Sequence, residues 1–167
     1  MGVSLSESDD LDWLSTQISQ ELDIRPKYSK KTEKKLLENA MIIRNEKSEI
    51  IAYAELVNHL KGVEIGTVLV DPNHRGEGYG YNLLQLILEK TDSNLVFLYT
   101  KSPALKAICT KLGFKRKGIP SVLSGISILV LKMPKRFLTT VFRADFKRLW
   151  VQTITLRQYH CYVLKQE

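Results

Sequence analysis

Gly66-Thr67-Val68-Leu69-Val70-Asp71-Pro72-Asn73-His74-Arg75-Gly76-Glu77-Gly78-Tyr79-Gly80-Tyr81 is the stretch on which the reading of this chain turns. It begins as an apolar, strand-like run, stops at Asp71-Pro72 and then passes three glycines at alternate positions. Glycine has no Cβ, so such a turn accepts positive φ and lets backbone amides approach a ligand closely. Leu83, Leu84, Leu86, Ile87 and Leu88 follow as a strongly apolar helix. A strand, a glycine turn and a helix in that order aim successive N–H groups and the positive end of the helix dipole at one point. The arrangement reads as a phosphate or pyrophosphate site built from backbone, with Arg75 adding a cation. Other phosphate loops fit worse. A Walker loop needs Lys-Ser/Thr after its glycines, and the dinucleotide pattern GxGxxG fails at Tyr81 and Leu83.

Working outward, Leu11, Leu14, Ile18 and Leu22 recur at helical spacing, which predicts a helix over 9–22 with Ser8 as its cap. Arg25-Pro26 bars its continuation, and a lysine-rich stretch, Lys27–Lys35, leads into a second helix near Thr32–Asn39. Val3–Leu5, Met41–Ile43, Ile50–Val57, Val63–Val70 and Leu95–Thr100 read as strands. Ser102-Pro103 opens a helix whose core face is Ala104, Leu105, Ile108 and Leu112, and Gly113 closes it. Lys115–Lys117 and Ile126–Leu131 read as the last strands of a domain spanning 1–132. The fold class is α/β of the α+β type, a mixed central sheet flanked by helices, with a C-terminal appendage.

The loop resembles the signature of the GCN5-related N-acetyltransferase superfamily, Arg/Gln-x-x-Gly-x-Gly/Ala, matched by Arg75-Gly76-Glu77-Gly78-Tyr79-Gly80. Lys111-Leu112-Gly113-Phe114 resembles the family's KLGF ending of a later helix, and the order of elements fits over roughly 3–132. The resemblance implies acetyl-CoA as co-substrate, and the scattered cysteines and histidines lead to no expected metal. Val68, Leu69 and Val70 would offer backbone to the pantetheine arm. Arg75, Gly76, Glu77, Gly78, Tyr79, Gly80 and Tyr81 would take the pyrophosphate. Ser102 stands where the family often has an Asn that bonds the pantetheine, and it also suits a helix cap. Backbone N–H groups at the splayed strands, Val70 among them, would stabilise the oxyanion.

Glu64, eleven residues before Arg75, is the first candidate for the general base, with the spacing of the histone-acetylating members. Glu55 is the second. The family often has a Tyr five residues before the Phe of KLGF as acid to the thiolate. This chain has Cys109 there, so the acid is open, with Tyr99 as a substitute and a buried hydrophobe as the plainer role for Cys109. The expected activity is transfer of acetyl to a primary amine of a small molecule or peptide.

The bulk numbers agree with a soluble, cytoplasmic protein: 44% apolar and 26% charged residues, and two cysteines that form no metal-ligand cluster with His59, His74 or His160. The net charge of +7 is uneven. Residues 1–131 hold 17 Lys+Arg and 16 Asp+Glu, whereas residues 132–167 hold 8 and 2. In 133–167 an apolar stripe of Phe137, Val141, Phe142, Phe146, Leu149 and Trp150 is interleaved with basic residues, and Tyr159–Leu164 alternates like a strand. This basic amphipathic segment is expected to pack on the domain or a partner, a homodimer included. Two other function classes stay in view. One is a non-catalytic acyl-CoA-binding module. The other is an adaptor that binds nucleic acid or an anionic membrane surface through 133–167.

Overall fold

The computed structural model describes residues 7–21, 24–117 and 159–166. Among these residues, four α-helices flank one six-stranded sheet. Helix α1 is Glu7–Gln20, α2 Lys30–Glu38, α3 Tyr79–Lys90 and α4 Pro103–Lys111. The strands are β1 Met41–Arg44, β2 Ile50–His59, β3 Gly62–Val70, β4 Leu95–Thr100, β5 Lys115–Lys117 and β6 His160–Lys165. Their order across the sheet is β1-β2-β3-β4-β6-β5. β3 and β4 are parallel, joined through α3, and the other neighbours are antiparallel.

The apolar pattern sorts the helices onto the two faces. Leu83, Leu84 and Ile87 of α3 and Cys109 of α4 are buried with Ala52, Ala54, Ile65, Val96, Leu98 and Tyr162. Leu14 and Ile18 of α1 and Leu37 of α2 are buried on the opposite face against Ile50, Tyr53 and Leu69. Each such side chain contributes roughly 1.5–3 kcal/mol on burial, which is what holds short helices that would not persist alone. α1 begins at Glu7, so Ser8 lies inside its first turn rather than capping it. α2 starts two residues earlier than its apolar pattern suggests, because Ser29 caps it by accepting from the Thr32 amide.

Asn45 Oδ1 accepts from the amides of Lys47 and Glu49, closing the β1–β2 turn. β6 comes from beyond residue 132 and lies between β4 and β5, pairing Val96 with Leu164 and Leu98 with Tyr162. The strand predicted at Tyr159–Leu164 is thus a central member of the sheet. The predicted strands Val3–Leu5 and Ile126–Leu131, the helical position Leu22 and the stripe from Phe137 to Trp150 lie outside the described residues.

Removing residues 159–167 would open both the β4 edge and the core around Tyr162. We expect the shortened chain to aggregate or to melt at a clearly lower temperature, as read by circular dichroism and light scattering. A soluble product with unchanged melting would contradict the central place of β6.

Candidate functional site

β3 and β4 run side by side for only three residue pairs: Val63 with Val96, Glu64 with Phe97 and Ile65 with Leu98. Beyond these they part. β3 continues to Val70 paired with β2, while Tyr99 and Thr100 of β4 pair with β6. The register between β2 and β3 shows why. Ala54 faces Val68 and Leu56 faces Ile65, so Gly66 and Thr67 together oppose the single residue Glu55. Such a bulge bends the strand that carries it. It begins at the first residue past the last β3–β4 pair. The result is a fork in the middle of the sheet, with the inner edge of Gly66–Val70 turned away from β4.

Glycine is needed at the bend. A Cβ at Gly66 would stand 3.3 Å from the Glu55 Cβ and 3.5 Å from its Oε2. Glu55 itself is fixed: its Oε1 accepts from Arg25 Nε at 2.5 Å and from the Tyr53 hydroxyl at 3.2 Å. Arg25 turns its two Nη atoms to Glu33 of α2, at 2.9 and 2.7 Å. All three side chains are nearly inaccessible. Burial weighs against the Arg25 charge, and Glu33 and Glu55 outweigh it, so the guanidinium stays ionised. The Tyr28 amide donates to Glu33 Oε1 at 2.6 Å, and the Tyr28 ring lies 4.7 Å from the guanidinium. One buried cation thus ties the segment between α1 and α2 to the bulge.

The glycine turn sits at the open end of the fork. Gly76 and Gly78 adopt φ of 89° and 88°, the left-handed region, and a Cβ at either would meet nothing within 4 Å. These two glycines therefore serve backbone shape, not close packing. Gly80 is different: its added Cβ would lie 3.2 Å from Ile108 of α4 and 3.7 Å from Val70. This contact seats the start of α3 between the end of β3 and α4. Gly78 is the N-cap of α3 with no side-chain cap, and the Asn82 amide makes a helical bond to its carbonyl. The amides of Tyr79, Gly80 and Tyr81 precede that bond and so have no intrahelical acceptor. Arg75 donates from Nε to the Val70 carbonyl at 3.2 Å and from Nη2 to Glu21 at 2.7 Å. The strand end is anchored from α1 by Trp13, whose indole donates to Asp71 at 3.0 Å. Burial acts against the Asp71 charge, but the Trp13 and Asn73 hydrogen bonds hold its carboxyl below the ordinary range.

On the α1–α2 side of the fork stand Glu64, His59, Phe97, Tyr99 and Cys161. His59 Nε2 and Glu64 Oε2 are 2.8 Å apart. The His59 ring lies 5.5 Å from that of Phe97, and Phe97 lies 6.1 Å from Tyr99. Tyr99 and Cys161 are cross-strand partners. Burial chiefly, then the neighbouring Cys161, raises the Tyr99 phenol, which therefore stays protonated.

The residues singled out from sequence thus fall into groups. Val68, Leu69, Val70, Arg75, Gly76, Glu77, Gly78, Tyr79, Gly80 and Tyr81 form one continuous rim from the fork to α3. Glu77 meets His74 at 3.2 Å, and Lys111 lies 4.5 Å over the Tyr81 ring. Ser102 caps α4, accepting from the Leu105 amide at 3.4 Å. Glu64 flanks the fork and is half-buried, whereas Glu55 lies under the bulge, engaged by Arg25 and Tyr53. Cys109 is fully enclosed in the core, and burial pushes its thiol up to about 12. Sequence reasoning did not find Arg25, which appeared only as a helix breaker beside Pro26, or His59. An i, i+5 His/Glu pair flanking a hairpin was the available signal for His59.

A sequence profile of the Acetyltransferase (GNAT) family matches residues 8–114. A UPF0039 protein of Schizosaccharomyces pombe is 31% identical over 94 residues, which cover 49% of this chain. The match spans 63% of that protein's length. Among solved structures, N-acetylglutamate synthase from Neisseria gonorrhoeae, complexed with coenzyme A and N-acetyl-glutamate, has a TM-score of 0.63 at 16% identity, covering 98% of this chain and 34% of its own. Rv2747 from Mycobacterium tuberculosis, in complex with CoA and NLQ, gives 0.63 at 15% identity and 97% coverage of both chains. The spermidine/spermine N-acetyltransferase SpeG from Vibrio cholerae gives 0.54 at 16% identity, covering 68% of this chain and 78% of its own. At these identities the likeness is one of fold.

Arg25→Met would leave Glu33 and Glu55 buried without their cation. We expect a loss of about 3–5 kcal/mol in urea unfolding, the cost of breaking a buried pair from one side. A loss below about 1 kcal/mol, as for an exposed ion pair, would remove Arg25 from its assigned role.

Proposed function

We propose that this chain, which belongs to the Acetyltransferase (GNAT) family, transfers the acetyl group of acetyl-CoA to a primary amine of a small molecule or peptide. The observation that carries this reading is the fork between β3 and β4 with the glycine turn at its open end. The amides of residues 76–81 and Arg75 suit the coenzyme's pyrophosphate. The inner edge of Gly66–Val70 suits the amide-bearing pantetheine arm, laid along it like an added strand. The thioester then falls where the strands part, beside Glu64 and Tyr99.

In that position the chemistry needs little from the protein. The amine nitrogen bonds to the acetyl carbon and passes a proton to Glu64, directly or through water. Backbone N–H groups of the parted strand, Val70 included, steady the oxyanion. The C–S bond then breaks, its electrons leave with sulfur, and the thiolate takes a proton from Tyr99 or water. Cys109, enclosed and un-ionised, is assigned to packing, and Glu55 to support of the bulge. Ser102 is assigned to capping α4, close to the coenzyme. Both thiols are free, and a reducing, cytoplasmic setting belongs to the same proposal.

Acetyl-CoA should raise the melting temperature in a saturable way, with about 2.7 kcal/mol of stabilisation at a hundredfold excess over Kd. Gly78→Val should abolish that shift. A branched residue held at the Gly78 φ of 88° pays roughly 1–2 kcal/mol, which reshapes the turn while the open space around it spares the fold. An unchanged shift in Gly78→Val would move the pyrophosphate elsewhere.

Mass spectrometry of amino acids, polyamines, aminoglycosides and peptide N-termini incubated with acetyl-CoA tests the transfer itself. We expect a mass gain on one class, and a kcat ~10²–10⁴-fold lower in Glu64→Gln at near-constant coenzyme affinity. Coenzyme binding without acetylation of any of these amines would favour a non-catalytic acyl-CoA-binding module. Near-normal activity in Glu64→Gln would take the base away from Glu64.

A further inference from the structure

His59 neither binds the coenzyme nor moves a proton in the proposed transfer, yet its side chain is in hydrogen-bond contact with the assigned base. Its Nε2 lies 2.8 Å from Glu64 Oε2. A carboxylate that is to act as a base only accepts, so this role needs the hydrogen on Nε2. The contact is not a loose surface pair: the Glu64 side chain is 12% exposed and that of His59 is 28% exposed. The imidazole is also held from a second strand. Its ring lies 5.5 Å from Phe97, which is the residue Glu64 faces across the parallel β3–β4 pair. β2 contributes the donor, β3 the acceptor and β4 the surface that orients the donor. Such a pair spans the three strands that meet at the closed end of the fork.

We propose that His59 is a positioning residue for acetyl transfer: its Nε2–H holds the Glu64 carboxylate in the orientation that receives the proton of the incoming amine. The inference rests on the assignment of Glu64 as the base. The choice of residue suits the task. A Lys or Arg at position 59 would place a permanent cation on the carboxylate and weaken it as a base. An imidazole N–H can donate this bond without carrying a permanent charge. The proton count is unaffected: the amine proton ends on Glu64, and His59 keeps its own.

The test compares His59→Phe, which preserves an aromatic ring against Phe97 but removes the donor, with His59→Gln, which restores an N–H. Both are assayed with acetyl-CoA and the fastest-reacting amine of the panel, alone and combined with Glu64→Gln. We expect His59→Phe to lower kcat by ~10–10²-fold, the scale of a misplaced catalytic group, with KM for acetyl-CoA within about twofold. His59→Gln should recover most of the loss. In the Glu64→Gln background, His59→Phe should cost nothing further, since the two side chains act as one unit. Wild-type kcat in His59→Phe, a loss confined to KM, or an equal loss in the Glu64→Gln background would each overturn the proposal. A wild-type protein that binds the coenzyme but acetylates no amine overturns the transfer reading itself. That result is distinct from an active enzyme indifferent to His59.

Discussion

The bulge at Gly66 and Thr67 opposite Glu55 is the constraint on which the rest of the site depends. A β3 strand with regular register would pair with β4 along its whole length and close the sheet. With two residues set against one, the strand bends, and the parallel pairing stops at Ile65 and Leu98. The bend is held at its base by a buried cation shared between two carboxylates, Arg25 with Glu33 and Glu55. A buried ion pair is not by itself a large source of stability, because desolvation offsets most of the attraction. Its contribution here is geometric: it joins β2, α2 and the segment after α1 at the point where the sheet divides.

Each part of the site is then a consequence of where the chain goes from the bend. β3 leads into the glycine turn and α3, whose first amides face outward at the open end of the fork. β4 leads past Tyr99 and Thr100 to Ser102 and α4. Gly80, lying close to both Val70 and Ile108, keeps these two exits adjacent. The chemistry proposed for the side chains is correspondingly small, a base and its partner on one face of the fork. In the proposed reading, binding and orientation fall mostly to backbone, and backbone geometry depends less on the identity of each side chain.

The fork's lining was legible in the sequence because its signals are local. Three alternate glycines between an apolar run and an apolar helix announce the turn, and the spacing of Leu14 with Ile18 or of Leu83 with Ile87 announces a helix face. What stayed hidden depends on contacts far apart in the chain. Arg25 reads as exposed by default, and nothing near it in sequence reveals two carboxylates that meet it in the interior. Glu55 therefore stood as a candidate base, although its oxygen is engaged by Arg25 and Tyr53. The alternation in Tyr159–Leu164 indicated a strand, but not that this strand would insert between β4 and β5. Cys109 was read both ways, and its place among Leu83, Leu84 and Phe114 favours the hydrophobic role.

The central claim, that the parted strands and the glycine turn together hold the coenzyme, is tested most directly by amide chemical-shift mapping of the ¹⁵N-labelled protein titrated with acetyl-CoA. The account predicts saturable shifts concentrated at residues 66–70 and 75–81, with Gly76 and Gly78 among the largest, and small ones on β1 and the β1–β2 turn. Shifts that bypass the glycine turn, or no shifts at millimolar coenzyme, would contradict it.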